Sequence, residues 1–220
     1  MQKSVIIVAG GSGKRMGAAI PKQYLLLGSM PILLHSIKNF NLAIPEIEVV
    51  VVISPDMEEE FKALMHKHLP QIAYKVAFAG KERYHSVKSG IEKCNGQWVA
   101  IHDAVRPFAS VECIQGVFQL AAKTGAAIPV IPVKDSIRQQ KADGNKALNR
   151  DELVAVQTPQ VFSREILEEA YKIPYRSNFT DDASVVEAAG YTIHLSQGNP
   201  ENLKITNPLD LKLAELILHG

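Results

Sequence analysis

Short apolar runs alternate along the chain with amphipathic stretches, and that alternation predicts a mostly parallel β-sheet covered by helices. The runs place strands at Val5 to Val8, Glu48 to Ile53, Ile72 to Phe78, Trp98 to His102, Ala126 to Ile131 and Tyr191 to Leu195. Ser54-Pro55 opens a helix with Met57, Phe61 and Leu64 at helical spacing. Thr180, followed by Asp181 and Asp182, caps a helix that stops at Gly190, and Asn207-Pro208 opens the last, ending in Leu216-Ile217-Leu218. The stretch from Lys134 to Asn149 departs from the pattern, with few apolar residues and a hairpin turn signal at Asp143-Gly144. It reads as a solvated β-hairpin or as a dimerisation arm of about 134–156, because a long isolated hairpin is marginal in water unless something packs against it.

The 220 residues show no composition break, repeat or low-complexity tract, so one α/β domain over 1–220 is expected. With a formal net charge of +1 there is no global basic field to recruit nucleic acid, and any cation cluster must be local and aimed at a small anion. Cys94 and Cys113 read as buried thiols rather than a disulfide. The N-terminus runs straight into a strand, and no long apolar segment follows, so a soluble cytoplasmic protein without a membrane partner is expected.

The chemistry starts after the first strand, in Val8-Ala9-Gly10-Gly11-Ser12-Gly13-Lys14-Arg15-Met16-Gly17, closely followed by Pro21-Lys22-Gln23. Four glycines let backbone N–H groups approach a polyphosphate, and Lys14, Arg15 and Lys22 can gather around its charge. Two common nucleotide loops are excluded. A Walker A loop requires Ser or Thr after its Gly-Lys, where this chain has Arg15. A dinucleotide loop requires its third glycine one residue earlier and an acidic residue ending the second strand, which here ends Val52-Ile53-Ser54-Pro55.

Ligands of open α/β sheets bind at the carboxyl ends of strands, which groups the glycine loop with Gly80 to Val87 and with His102-Asp103-Ala104-Val105-Arg106-Pro107. Asp103, just past an apolar strand, is placed either to hold Mg²⁺ against a triphosphate or to serve as a helix cap or turn residue. His85 and His102 read as structural, since an attacking phosphate is already an anion and requires no general base.

Five motifs occur in order: Ala9-Gly10-Gly11-x-Gly13-x-Arg15-Met16 with Pro21-Lys22-Gln23-Tyr24; Gly80-x-x-Arg83-x-x-Ser86-Val87; His102 to Pro107; Gln157-Thr158-Pro159-Gln160; and Thr180-Asp181-Asp182-Ala183-Ser184. Together the chain closely resembles the 2-C-methyl-D-erythritol 4-phosphate cytidylyltransferases, which join CTP to a branched sugar-alcohol phosphate in the non-mevalonate isoprenoid pathway. The resemblance implies a single three-layer α/β/α domain of the nucleotide-diphospho-sugar transferase type, a protruding β-hairpin arm, Mg²⁺, a homodimer that exchanges arms, and pyrophosphate as second product.

Carried over by motif position, the resemblance implies that Ala9, Gly10, Gly11, Gly13 and Arg15 contact the phosphates and ribose of CTP, and that Gly80, Arg83 and Ser86 receive cytosine. Arg15 and Lys22 would stabilise the α-phosphate, and Asp103 and Ala104 would serve both substrates. Arg106, Thr158, Thr180 and Lys204 would hold methylerythritol phosphate, with Ser136 and Arg150 supplied by the partner subunit; Arg150 and Lys204 complete the catalytic set. Taken alone, Lys22 and Arg150 could be solvated surface charges, Ser86 an ordinary helix residue and Thr180 a helix cap. The chain departs from the family pattern at Ala79, where a second glycine is common, at Ser136, where threonine is common, and at Glu201, where aspartate is frequent. Two rival functions are a D-ribitol 5-phosphate cytidylyltransferase, against which Ala104 and Val154-Ala155-Val156 lean, and a non-catalytic CTP-binding module, against which Lys22, Asp103 and Lys204 together argue.

Overall fold

The structure, a computed structural model, describes residues 2–11 and 20–220. β1 (Lys3–Val8) precedes the glycine segment, after which come a 3-10 turn (Lys22–Tyr24), a small hairpin of β2 (Leu26–Leu27) and β3 (Met30–Pro31), and α1 (Ile32–Ala43). β4 (Glu48–Ile53), α2 (Glu58–His68), β5 (Tyr74–Phe78), α3 (Arg83–Ile91), β6 (Trp98–Asp103), α4 (Val111–Thr124) and β7 (Ala126–Pro132) complete the α/β run. The remainder is β8 (Arg138–Lys141), β9 (Gly144–Ala147), β10 (Val154–Val156), β11 (Gln160–Ser163), α5 (Arg164–Ala170), α6 (Asp182–Ala188), β12 (His194–Gln197) and α7 (Pro208–His219).

β6, β1, β4 and β5 lie side by side and parallel. β11 is antiparallel and fits between β6 and β7. β7 has three partners: β11 along Ala126 and Ala127, antiparallel β10 along Val130 to Pro132, and parallel β12 along Ala127 to Val130. Because the two antiparallel partners do not overlap, β10 and β11 share one edge of β7 end to end.

The period-2 alternation of strand side chains feeds two cores. Val5 and Ile7 face the layer made by Leu33, Ile37 and Phe40 of α1, Phe61 of α2 and Phe118 of α4. Ile6, Val50 and Val52 face the opposite layer, with Tyr84, Val87 and Ile91 of α3, Leu167 of α5 and Val186 of α6. This is the expected three-layer arrangement. Among the described residues, no helix is long and apolar enough to cross a membrane. Cys94 and Cys113 are free and buried.

Several element boundaries differ from the sequence reading. The last strand begins at His194 rather than Tyr191, because Tyr191 and Ile193 pack against the core below the sheet and pairing with β7 starts only beyond them. The N-cap of α6 is Asp181, not Thr180: its carboxylate accepts from the Ser184 N–H while the Ser184 hydroxyl accepts from the Asp181 N–H, a capping box. The polar hairpin exists as β8 and β9, exposed along both strands and, among the described residues, paired only with each other. Val154 to Val156, the end of the expected arm, instead rejoins the main sheet as β10.

α3 lies so close to the sheet that a Cβ on Gly90 would stand 2.6 Å from Ile6 Cγ2 and 3.1 Å from Val52 Cγ2. On Gly116 of α4 the nearest atom would be Ser196 Oγ at 3.8 Å. Alanine gains about 1 kcal/mol over glycine inside a helix, whereas overpacking a closed core costs about 1–3 kcal/mol. Gly116→Ala is therefore expected to raise the unfolding free energy and Gly90→Ala to lower it; urea denaturation of the pair checks the signs.

Candidate active site

The register of β1 on β6 sets Val8 beside Asp103, so the start of the glycine segment and this carboxylate emerge together at the carboxyl end of the sheet. Asp103 is buried among three cations: Lys204 Nζ at 2.9 Å from Oδ2, Arg106 Nε at 3.5 Å from the same oxygen, and Arg83 Nη2 at 3.5 Å from Oδ1. Burial works against its ionisation, but the charges of Arg83, Lys204 and Arg106 overcome it and hold the carboxyl well below the usual carboxylate range. Two cavities meet at this group. One of about 580 Å³ is lined by Ala9, Gly10, Gly11, Lys22, Gly80 and Ser86 among others, and one of about 280 Å³ by Arg106, Thr158, Gln160 and Thr180 among others. Arg83, Asp103 and Lys204 line both.

Behind the carboxylate, the Asp103 backbone is held by a buried relay. His102 Nε2 lies 3.0 Å from the Arg106 carbonyl, which can only accept, so this nitrogen carries the proton. Burial pushes the His102 pKa down to about 4, so the ring is neutral near pH 7 and Nδ1 is bare. The Thr158 hydroxyl, 3.0 Å away, therefore donates to Nδ1 while accepting from the Asp103 N–H at 3.1 Å. In front, a strap from Asn199 to Thr206 brings Lys204 to Asp103 and offers carbonyls to neighbouring cations. Arg106 Nη1 donates to Asn202 O at 2.8 Å and Lys22 Nζ to Ile205 O at 2.9 Å.

Most of the residues read from the sequence meet here. Ser86 lines the larger cavity, but its hydroxyl accepts from the Gly80 N–H and donates to Glu82 O, so it shapes the loop around Gly80. Arg83, expected on the base, turns its guanidinium to Asp182 and Asp103. The Ala104 side chain is buried, its N–H donating to Val8 O. Gly10 must be glycine because a Cβ there would overlap that of Ala79, the residue standing where a second glycine was expected. Ser136 and Arg150 are exposed and line neither cavity; Arg150 Nη1 instead donates to Lys134 O. Gly13, Lys14 and Arg15 lie outside the described residues.

The sequence profile of the 2-C-methyl-D-erythritol 4-phosphate cytidylyltransferases matches residues 4–220. The chain belongs to that family. It is 42% identical over 219 residues to the enzyme of that name from Bacteroides thetaiotaomicron, covering 99% of this chain and 100% of that one. To the one from Porphyromonas gingivalis it is 43% identical over 220 residues, covering 99% and 98%. Among solved structures, the Thermus thermophilus 2-C-methyl-D-erythritol 4-phosphate cytidylyltransferase superposes with a TM-score of 0.81 at 30% identity over the whole of both chains. The Anaerococcus prevotii 4-diphosphocytidyl-2C-methyl-D-erythritol synthase gives 0.86 at 26% identity, covering all of this chain and 96% of that one.

Three supporting residues had no assigned role in the sequence reading. Gln23 Nε2 donates to Ala9 O and, at 2.8 Å, to Gly11 O, tying the end of β1 to the turn that carries Lys22. Asn202 is fully buried and donates to Thr158 O at 2.8 Å, while its neighbour Glu201 stays exposed. Asp182 is fully buried against Arg83. Gln23 and Asp182 lie inside quoted motifs, where the available signal was an amide or acid within an otherwise explained pattern; Asn202 lies outside all five, between Glu201 and Lys204.

The donor set does not fit a resident metal ion. Asp103, the expected ligand, already faces three cations, and the described residues contain no group of three or more His, Cys, Asp or Glu able to hold one.

His102 titrates near 6.5 when unfolded and near 4 when folded, so acid favours the unfolded chain. Stability is present in full above pH 6.5 and falls by about 3 kcal/mol as pH drops to 4. Glu48, whose carboxyl is brought down to about 2 against its burial by the Asn95 N–H, Lys75 and Ser4, loses its contribution only below pH 4.5. His102→Gln is expected to flatten the slope between pH 6.5 and 4 and leave the lower limb; urea midpoints across pH measure both.

Proposed function

We propose that this chain transfers the cytidylyl group of CTP to 2-C-methyl-D-erythritol 4-phosphate, giving 4-diphosphocytidyl-2-C-methyl-D-erythritol and pyrophosphate. The observation that carries the reading is the cationic partition between two adjoining cavities. A volume of about 580 Å³ suits a nucleotide, and the smaller cavity suits a short polyol phosphate on the far side of Arg83, Asp103 and Lys204. Lys22, Lys81, Arg83, Arg106 and Lys204 line the two cavities against Glu82, Asp103 and Asp181, with Asp182 behind Arg83, so cations outnumber carboxylates by one where two anions must meet.

The acceptor phosphate oxygen attacks the α-phosphorus in line. A phosphorus–oxygen bond forms there as the bond to the β-phosphate oxygen breaks, and its electron pair leaves with pyrophosphate. No base is required, and the chain's work is orientation and charge. Lys22, with Arg15, offsets charge on the α-phosphate, Lys204 and Arg106 hold the incoming phosphate, and Asp103 accepts from acceptor hydroxyls. One well-aimed cation of this kind contributes on the order of 3 kcal/mol, a hundredfold in rate. Magnesium enters this reading as the companion of the triphosphate, MgCTP being the substrate, with no step assigned to a protein-bound ion. CTP supply and the two free thiols agree with a cytoplasmic location.

Pyrophosphate release with CTP and Mg²⁺ is expected with 2-C-methyl-D-erythritol 4-phosphate and not with D-ribitol 5-phosphate. Release with ribitol phosphate alone would move the protein to another polyol, and none with either would leave a CTP-binding module.

The same reading extends to a homodimer. Among the described residues nothing covers the hairpin of β8 and β9, and Ser136 and Arg150 flank it away from either cavity, which supports an arm that completes a second copy's site. Lys22→Ala and Arg150→Ala chains, each inactive alone, are expected to recover turnover when mixed, because a mixed dimer has one intact site. Subunit exchange without recovery rules the shared site out.

A further inference from the structure

We infer that Asp182 is a positioning residue for the acceptor side of the site, acting through Arg83; the inference rests on the cytidylyl-transfer reading. Asp182 is fully buried in the first turn of α6. Its two oxygens take both ends of the Arg83 guanidinium, at 2.9 Å (Nη1 to Oδ1) and 2.7 Å (Nη2 to Oδ2), and Oδ1 also accepts from the Tyr171 hydroxyl at 2.7 Å. A bidentate grip of this geometry fixes the plane of the guanidinium as well as its place. Arg83 therefore meets Asp103 only through a second, longer contact of 3.5 Å.

The clamp is built from two directions. Gln160, on the strand beside β6, donates to Asp181 Oδ2 at 2.8 Å and accepts from the Ala183 N–H at 2.9 Å, which sets the start of α6 against the sheet. Tyr84, next to Arg83 on α3, stacks on Tyr171 with ring centres 4.8 Å apart and donates to its carbonyl at 3.0 Å. Arg83 is thus held at its backbone by Tyr84 and at its tip by Asp182.

The consequence lies at Asp103. A guanidinium released from Asp182 already stands 3.5 Å from Asp103, and a full bidentate pair with Asp103 would occupy the oxygens that this reading gives to acceptor hydroxyls. Asp182 keeps Arg83 near enough to help hold Asp103 ionised and far enough to leave it accepting. Its loss should weaken acceptor use, while the nucleotide cavity keeps Lys22, Gly80 and Ser86.

The test uses Asp182→Asn in the full-length enzyme, with steady-state KM for the acceptor, kcat, CTP affinity by calorimetry, and Tm. A lost charge-assisted bond predicts an acceptor KM raised about tenfold with CTP affinity unchanged within about twofold. In an Arg83→Gln background the same substitution is expected to add nothing. Tyr171→Phe, which leaves both guanidinium bonds in place, should shift acceptor KM in the same direction by less, and it carries the test if Asp182→Asn does not fold. A lowered Tm with unchanged acceptor KM, an equal loss of CTP affinity, or additive losses in the Arg83→Gln background would each overturn the inference while wild-type turnover stands. Absence of wild-type turnover overturns the proposed reaction, and the inference with it.

Discussion

Asp103 is a carboxylate buried at the end of a central strand, and keeping it charged there is the constraint around which the site is arranged. Burial pushes it towards protonation; Arg83, Lys204 and Arg106 outweigh that, and each comes from a different part of the chain. Each cation has in turn its own anchor: Asp182 for Arg83, the Asn202 carbonyl for Arg106, and for Lys204 the strap, whose Ile205 N–H donates to Val105 O. A buried ion cluster of this kind is a poor source of stability, because desolvation offsets most of its attraction. Its value is geometric, since it fixes four charged groups between two cavities before any substrate arrives.

The rear of the site follows the same logic with neutral groups. A protonated His102 would put two donors against Arg106 O and the Thr158 hydroxyl and turn that hydroxyl away from Nδ1. Burial excludes that state at neutral pH, so one tautomer orders the chain of bonds from the Arg106 carbonyl to the Asp103 N–H. The histidine read from the sequence as structural is thus part of the geometry of the site without taking part in proton transfer.

The parallel half of the fold was legible because its strands are continuous apolar runs such as Val49 to Ile53, buried on both faces. β11 was not, since Gln160-Val161-Phe162-Ser163 is short and begins with a buried amide whose partners, Asp181 and Ala183, lie beyond local pattern. The same divide runs through the site. Glycines and cations announce a polyphosphate by residue type, whereas Asp182 becomes intelligible only once the chain has brought it to Arg83, 99 residues away. Thr180, the expected cap, lost that role to Asp181 because an aspartate followed by serine three residues later closes a capping box from both sides.

β11 is inserted between β6 and β7, so the middle of the sheet waits for a late piece of chain. During synthesis β6 has an open edge until residues 160–163 emerge, and open edges of this kind are where nascent chains associate wrongly. Gln160 begins that strand and Thr158 stands just before it, so the insertion that closes the sheet also delivers the rear support of Asp103. A chain stopped before residue 158 would carry the glycine segment beside an unfinished sheet, with the Asp103 N–H lacking the Thr158 hydroxyl that accepts from it.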